Sequence, residues 1–236
     1  MVKQGHPIYT GKAKSLYRTE REGVLLMEFR DDITAFDGGK QDVLACKGSF
    51  NARVSAFLFK YLAGQGIRTH FIELLDESRM LVRELEMIPL EVIVRNVAAG
   101  SLSRNYPIAP GTPLDPPVIV IDYKDDARHD PMVNDDIIRA LKILAPGELE
   151  RLKAEALAIN RALGDFFDSL GITLVDFKME FGRCDGEVMV GDEISMDSMR
   201  LWDKVTGESL DKDVYRFSKG DVLSVYRRVS ERILAG

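Results

Sequence analysis

A chain of 236 residues, 45% hydrophobic and 30% charged, suits a soluble globular protein of one large or two small domains around a real core. Its net charge of −6 and pI near 5.3 argue against nucleic acid or an anionic membrane as main partner, so basic groups for an anionic ligand must be placed locally. Two distant cysteines, Cys46 and Cys184, fit a reduced, cytoplasmic protein, and three isolated histidines argue against a transition-metal site. The opening residues lack an apolar signal core, and no run approaches membrane-spanning length, so neither export nor a membrane is expected.

Ile8 to Tyr17 alternates in character and is followed by Gly23 to Phe29, which predicts an antiparallel pair of strands. If the first run is a strand, Lys12 and Lys14 share one face and Ala13 takes the other, with Gly11 allowing close approach of a ligand. Such a lysine pair suits phosphate, although it is not a Walker loop and equally fits two solvated lysines on an edge strand. Asp31 to Gly39 reads as a turn-rich loop, and the stripe Val54, Phe57, Leu58, Tyr61, Leu62 predicts an amphipathic helix from Ser49 to Ala63.

Met80 to Glu86 and Leu90 to Arg95 read as strands, with a domain hinge expected between Glu84 and Pro89, against which a nucleotide base could pair. Arg95 followed by Ala98-Ala-Gly-Ser101 offers a guanidinium, backbone N–H groups and a hydroxyl to an anion, or else a tight turn with a surface arginine. Pro107 to Pro117 is proline-rich and reads as a loop, Val118 to Ile121 as a short strand. Lys124 to Asn134 is longer and more polar than a connector needs, a candidate substrate loop. Asn134 should cap a short helix burying Ile137, Ile138, Leu141 and Leu144, and the long helix from Gly147 to Leu170 is scaffold. A last amphipathic helix spans Asp221 to Leu234.

The most informative run is Leu174 to Asp203. Val175, Phe177, Met179 and Phe181 point one way, and Asp176, Lys178 and Glu180 the other. A hairpin turn at Arg183 to Gly186 leads back through Glu187 to Val190 and delivers Asp192 and Glu193 near Glu180. Carboxylates meeting across a hairpin repel unless a cation sits between them, and oxygen-only ligands suit Mg²⁺ holding nucleotide phosphates. A solvated face with a Lys–Glu pair is the plainer alternative.

The runs Ile88-Pro-Leu-Glu-Val-Ile-Val-Arg-Asn-Val-Ala-Ala-Gly-Ser101 and Leu174-Val-Asp-Phe-Lys-Met-Glu-Phe-Gly182 resemble the two motifs of the SAICAR synthetase family. Gly11-Lys-Ala-Lys14, Ala35-Phe-Asp-Gly38, Lys47-Gly48, Lys124-Asp-Asp-Ala127 with Asp130-Pro131, and Gly191 to Asp203 add to the likeness in order along almost the whole chain. Met196 stands where the family usually has proline, and Asn51-Ala52 and Ser103 to Tyr106 also depart from its pattern.

The resemblance implies an ATP-dependent ligase of purine biosynthesis. It would join the carboxylate of carboxyaminoimidazole ribonucleotide to the amine of L-aspartate through an acyl phosphate, with Mg²⁺. It implies an α+β fold of two domains, residues 1–86 and 87–236, like the ATP-grasp and protein-kinase group, with ATP in the cleft between them. Gly11, Lys12, Ala13 and Lys14, helped by Lys124, would bind the ATP phosphates. Glu180 and Asp192 would hold Mg²⁺, with Asp37 a third ligand or a contact to the imidazole. Lys12, Lys178 and Asp37 are the expected catalytic groups. Arg95, Ser101, Arg200 and Asp176 would bind the ribonucleotide, and the Lys124–Asn134 loop L-aspartate. A homodimer is also implied. Two rival readings are a phosphotransferase acting on a hydroxyl and a nucleotide-binding module without catalysis.

Overall fold

The computed structural model describes residues 5–36 and 38–236. Two antiparallel sheets and a small hairpin carry the chain. The first sheet contains β1 (Tyr9–Thr10), β2 (Lys14–Arg18) and β3 (Val24–Phe29). The hairpin of β4 (Asp32–Ala35) and β5 (Lys40–Val43) leads into α1 (Lys47–Gly64), after which β6 (Phe71–Leu74) and β7 (Arg79–Arg83) complete that sheet in the order β1-β2-β3-β7-β6. The stretch expected as a loop at Asp31 to Gly39 is thus partly strand, paired from Asp32 opposite Val43 to Ala35 opposite Lys40.

Only Glu84 and Leu85 separate β7 from β8 (Glu86–Val97), so the chain passes from one sheet to the next without a loop. Pro89 lies inside β8 rather than at its start, which is unusual for a central strand because proline cannot donate to the ladder. A register shift accommodates it: Glu180 and Gly182 of the neighbouring strand pair with Glu91 and Met87, and the residues between bulge. Then follow α2 (Ser101–Asn105), β9 (Pro113–Tyr123), α3 (Asp135–Leu141), α4 (Glu148–Ser169), β10 (Ile172–Cys184), β11 (Glu187–Gly191), β12 (Met199–Asp203), α5 (Asp213–Arg216) and α6 (Val222–Leu234). The strand expected at Val118 to Ile121 begins earlier, at Pro113, because β9 is an edge strand and edges tolerate proline.

The second sheet runs β11-β10-β8-β9, with β12 also on β10. At thirteen residues, β10 is long enough to take two partners along one edge: β12 beside Ile172 to Phe177, and β11 beside Glu180 to Cys184. The segment between those partners must leave the sheet opposite Lys178, whose N–H donates to the Ser198 carbonyl at 2.7 Å. This gap shapes the site.

Helix α1 packs on the first sheet and on α6, and α4 packs on β10 and β8. One continuous core runs through both sheets, from Met27 and Leu58 through Val92 and Phe177 to Ile159 and Ile233. The predicted stripes of α1, α4 and α6 face it, and Asn134 caps α3 by accepting from the Ile137 N–H at 3.0 Å. In α3 itself only Ile138 is buried; Ile137 and Leu141 are exposed, contrary to expectation, because a helix this short meets the core along one narrow line. Among the described residues no helix is long and apolar enough to cross a membrane.

Candidate active site

The polar face of β10 is where the two sheets and their loops bring charge together. Alternation places Asp176, Lys178 and Glu180 on one side, against β8, whose Arg95 and Glu91 stand opposite Asp176 and Glu180. Opposite that face, Phe177, Met179 and Phe181 are buried in the core, which fixes the register of the strand.

At one end of the strip, Lys178 Nζ donates to Glu91 Oε1 at 2.8 Å and to Glu180 Oε1 at 2.9 Å. Lys124 Nζ, at the end of β9, reaches the same Glu180 carboxylate at 2.6 Å. Asp192 follows β11 with a left-handed backbone (φ 57°), and its carboxylate pairs with Lys14; Glu193 stands 3.4 Å from the same ammonium. Burial disfavours the charged Lys14, but Asp192 and Glu193 outweigh it and raise its pKa. For Lys178, too, burial is overcome by Glu180 and Asp192, and it stays protonated. Asp192 is held well below the usual carboxylate range because Lys14 and Lys178 more than offset its burial.

Lys12 and Lys14 do not share the face of a strand. Residues 11–14 form the turn between β1 and β2, closed by the Gly11 N–H donating to the Lys14 carbonyl at 2.9 Å. Lys12 and Ala13 are the turn's tip, and Lys14 begins the next strand. Lys12 is exposed and its Nζ lies 3.3 Å from Asp126 Oδ1 of the Lys124–Asn134 loop, so the turn meets the loop of the second sheet at this ion pair.

At the other end, Asp176 accepts from Arg95 Nη1 at 2.7 Å and from Arg200 Nη1 at 2.8 Å, with all three side chains largely buried. Arg95 Nη2 also donates to Ser101 Oγ at 2.9 Å, and Arg200 Nε to Asp213 Oδ2 at 2.9 Å. Gly100 leaves room for this: a Cβ there would lie 2.6 Å from the Arg200 guanidinium, and its φ of 58° is one that side chains resist. Two guanidiniums, a hydroxyl and the start of α2 thus meet at one place.

The structure brings together Lys14, Lys124, Lys178, Glu180 and Asp192 in one group, and Arg95, Ser101, Asp176 and Arg200 in a second along the same strand. Asp37 lies outside the described residues. Two participants were missed from sequence. Glu91 lies four residues before Arg95, an even spacing that puts both on one face of β8, so alternation contained its signal; Asp213, which reaches Arg200 from α5, carried none. A further network was not anticipated: Lys47 is fully buried, in an ion pair with Asp197 at 2.5 Å, and Tyr226 donates to that carboxylate at 2.7 Å.

The chain matches the SAICAR synthetase family over residues 7–233. The phosphoribosylaminoimidazole-succinocarboxamide synthase of Methanoregula boonei is 67% identical over 232 residues, 98% of this chain and 91% of that one. The crystal structure of the synthase from Ehrlichia chaffeensis superposes with a TM-score of 0.95 at 42% identity, covering 98% of this chain and 99% of that chain. A SAICAR synthetase solved in complex with ADP gives a TM-score of 0.94 at 44% identity, covering 97% of each. With sequence and backbone path agreeing from end to end, this chain belongs to the SAICAR synthetase family.

Proposed function

We propose that the polar strip of β10 is the active site of an ATP-dependent ligase of purine biosynthesis, which joins carboxyaminoimidazole ribonucleotide to L-aspartate and releases ADP and phosphate. One observation carries the reading: three lysines from three separate segments meet Glu180 and Asp192 on one face, beside a second cluster of two arginines. ATP lies between the two sheets in an ATP-grasp or kinase-like arrangement, residues 1–86 and 87–236 acting as its two domains. A relative of similar backbone was solved in complex with ADP, which supports nucleotide binding.

A carboxylate is a poor electrophile, so it must first become an acyl phosphate, which the amine of aspartate then attacks. Transfer between two anions needs alignment and charge neutralisation more than a protein nucleophile. Lys12 and Lys14 take the ATP phosphates, with Gly11 and Ala13 lending backbone, and Lys124 and Lys178 stabilise charge on the group in flight. Each of these lysines now faces a carboxylate and exchanges it for phosphate oxygens when nucleotide binds. Arg95, Ser101 and Arg200 grip the ribonucleotide's 5′-phosphate, with Asp176 holding both guanidiniums in place. The Lys124–Asn134 loop receives L-aspartate.

Glu180 and Asp192 would hold Mg²⁺. Their oxygen donors fit a hard cation, and the neighbouring Glu193 Oε2 is a buried oxygen with no hydrogen-bond partner among the described residues. No cluster of three or more His, Cys, Asp or Glu that could hold a metal occurs among the described residues, so phosphate and water would complete the shell. When bound, Mg²⁺ supplies neutralisation of the phosphate charge.

Measuring ADP release by the purified protein with each substrate omitted in turn tests the reading. Release should require ATP and the ribonucleotide and be strongly accelerated by L-aspartate. Release equally fast without aspartate would favour a phosphotransferase instead.

A further inference from the structure

We propose that Arg30 is a positioning residue for ATP, holding the Gly11–Lys14 turn in the shape that presents Lys12 and Lys14 to the phosphates. The inference rests on reading that turn as the phosphate clamp. Arg30 Nη1 donates to the Lys14 carbonyl at 2.8 Å and to Ser15 Oγ at 2.7 Å, and Nη2 to the Gly11 carbonyl at 2.8 Å. The Arg30 backbone N–H donates to the Ala13 carbonyl at 2.8 Å. Three carbonyl oxygens of the turn are therefore committed to one residue. Left free, those oxygens could rotate toward the ligand and repel a triphosphate; bound to Arg30, they cannot.

The arginine is itself braced. Its Nε donates to Asp32 Oδ2 at 2.8 Å, and the Asp32 carbonyl accepts from the buried Lys47 at 2.8 Å. Asp31, between them, accepts from the N–H groups of Cys46 at 3.1 Å and Gly48 at 2.9 Å at the start of α1. A Cβ at residue 48 would lie 2.5 Å from the Phe29 carbonyl oxygen, so only glycine lets α1 seat against this segment. The Lys47-Gly48 pair thus gains a role that the chemistry of the site left unexplained. It anchors the base from which Arg30 reaches the turn.

The test compares Arg30→Lys, Ser15→Ala and Lys12→Ala with the wild-type enzyme. Steady-state KM is measured for ATP, ribonucleotide and L-aspartate, ADP affinity by calorimetry, and folding by thermal melting. Lysine keeps the charge but cannot reach acceptors on several sides as a guanidinium fork does. For Arg30→Lys, KM for ATP and Kd for ADP should rise on the order of tenfold while the other two KM values hold, as expected when charge-assisted hydrogen bonds are lost. An unchanged KM for ATP, or an equal rise for all three substrates, overturns the proposal. If Arg30→Lys does not fold, Ser15→Ala decides: a smaller rise confined to ATP and ADP supports positioning, and no rise overturns it. Lys12→Ala separates the two readings. An ATP effect there with none at Arg30 refutes only the present inference, whereas none at Lys12 refutes the clamp itself.

Discussion

Replacing Lys47 with methionine removes the cation of a fully buried ion pair and leaves a hydrocarbon chain of similar length. In the wild type, Asp197 is desolvated, which pushes its pKa up, but Lys47 outweighs this and holds it at about 2. Without Lys47 the carboxylate keeps the hydrogen bond from the Tyr226 hydroxyl, and the Asp32 carbonyl loses the Lys47 ammonium as well. Breaking one partner of a buried pair costs about 3–5 kcal/mol, a large part of the ~5–15 kcal/mol that stabilises a domain. The sign with pH follows. Wild-type Asp197 has a folded pKa below its ordinary 3.8, so its contribution is present above that value and lost as pH falls through about 2. In Lys47→Met the largest charge opposing burial is gone while Lys212 and the Tyr226 hydrogen bond remain, so the folded pKa moves up from about 2 and this contribution shrinks. Urea unfolding followed by the single tryptophan, Trp202 on β12, should show a deficit that is wide at pH 7 and narrows as pH falls from 3.8 toward about 2. Adding Asp197→Asn to Lys47→Met should recover much of the loss, since an amide carbonyl still accepts from Tyr226. A Lys47→Met protein within about 1 kcal/mol of wild type at pH 7 would refute the reasoning, because surface pairs, not buried ones, are worth that little.

Glu180→Gln and Asp192→Asn should each lower Mg²⁺-dependent turnover by at least about a hundredfold, the scale of losing one charge-stabilising group, with melting temperature retained. A near-normal rate at saturating Mg²⁺ would remove them from the metal site. Arg95→Ala should raise KM for the ribonucleotide on the order of tenfold or more while that for ATP holds, as charge-assisted hydrogen bonds to phosphate are lost; equal weakening of both would contradict its placement. Burial and the neighbouring Asp213 push the Asp211 carboxyl up to about 7. A raised folded pKa stabilises below the ordinary 3.8 and is lost as pH rises through 7, so melting temperature should fall across that window. Asp211→Asn should flatten the fall, and an unchanged slope in thermal melts would refute the assignment.

What was legible locally came out of periodicity. The face of Asp176, Lys178 and Glu180, the stripes of α1 and α4, the Asn134 cap and the Asp185-Gly186 hairpin turn all depend on neighbours a few residues apart. Local signals misled where a tertiary partner decided instead. Residues 11–14 alternate like a strand but turn, with Arg30 taking up their carbonyls, and the residues after Asp31 pair as a hairpin held to α1.

By itself the chain's order of residues determined the family, the two motif strands and which side of β10 carries charge, because side-chain direction along a strand follows from backbone geometry alone. Which charges meet was decided only in three dimensions. Lys14 reaches Asp192 and Lys47 reaches Asp197 because β10 takes two partners on one edge and the segment between them turns toward the first sheet, and Lys124 reaches Glu180 because β9 and β10 flank β8. Ion pairing depends on distance in space, and no local pattern encodes a distance between segments this far apart in the chain.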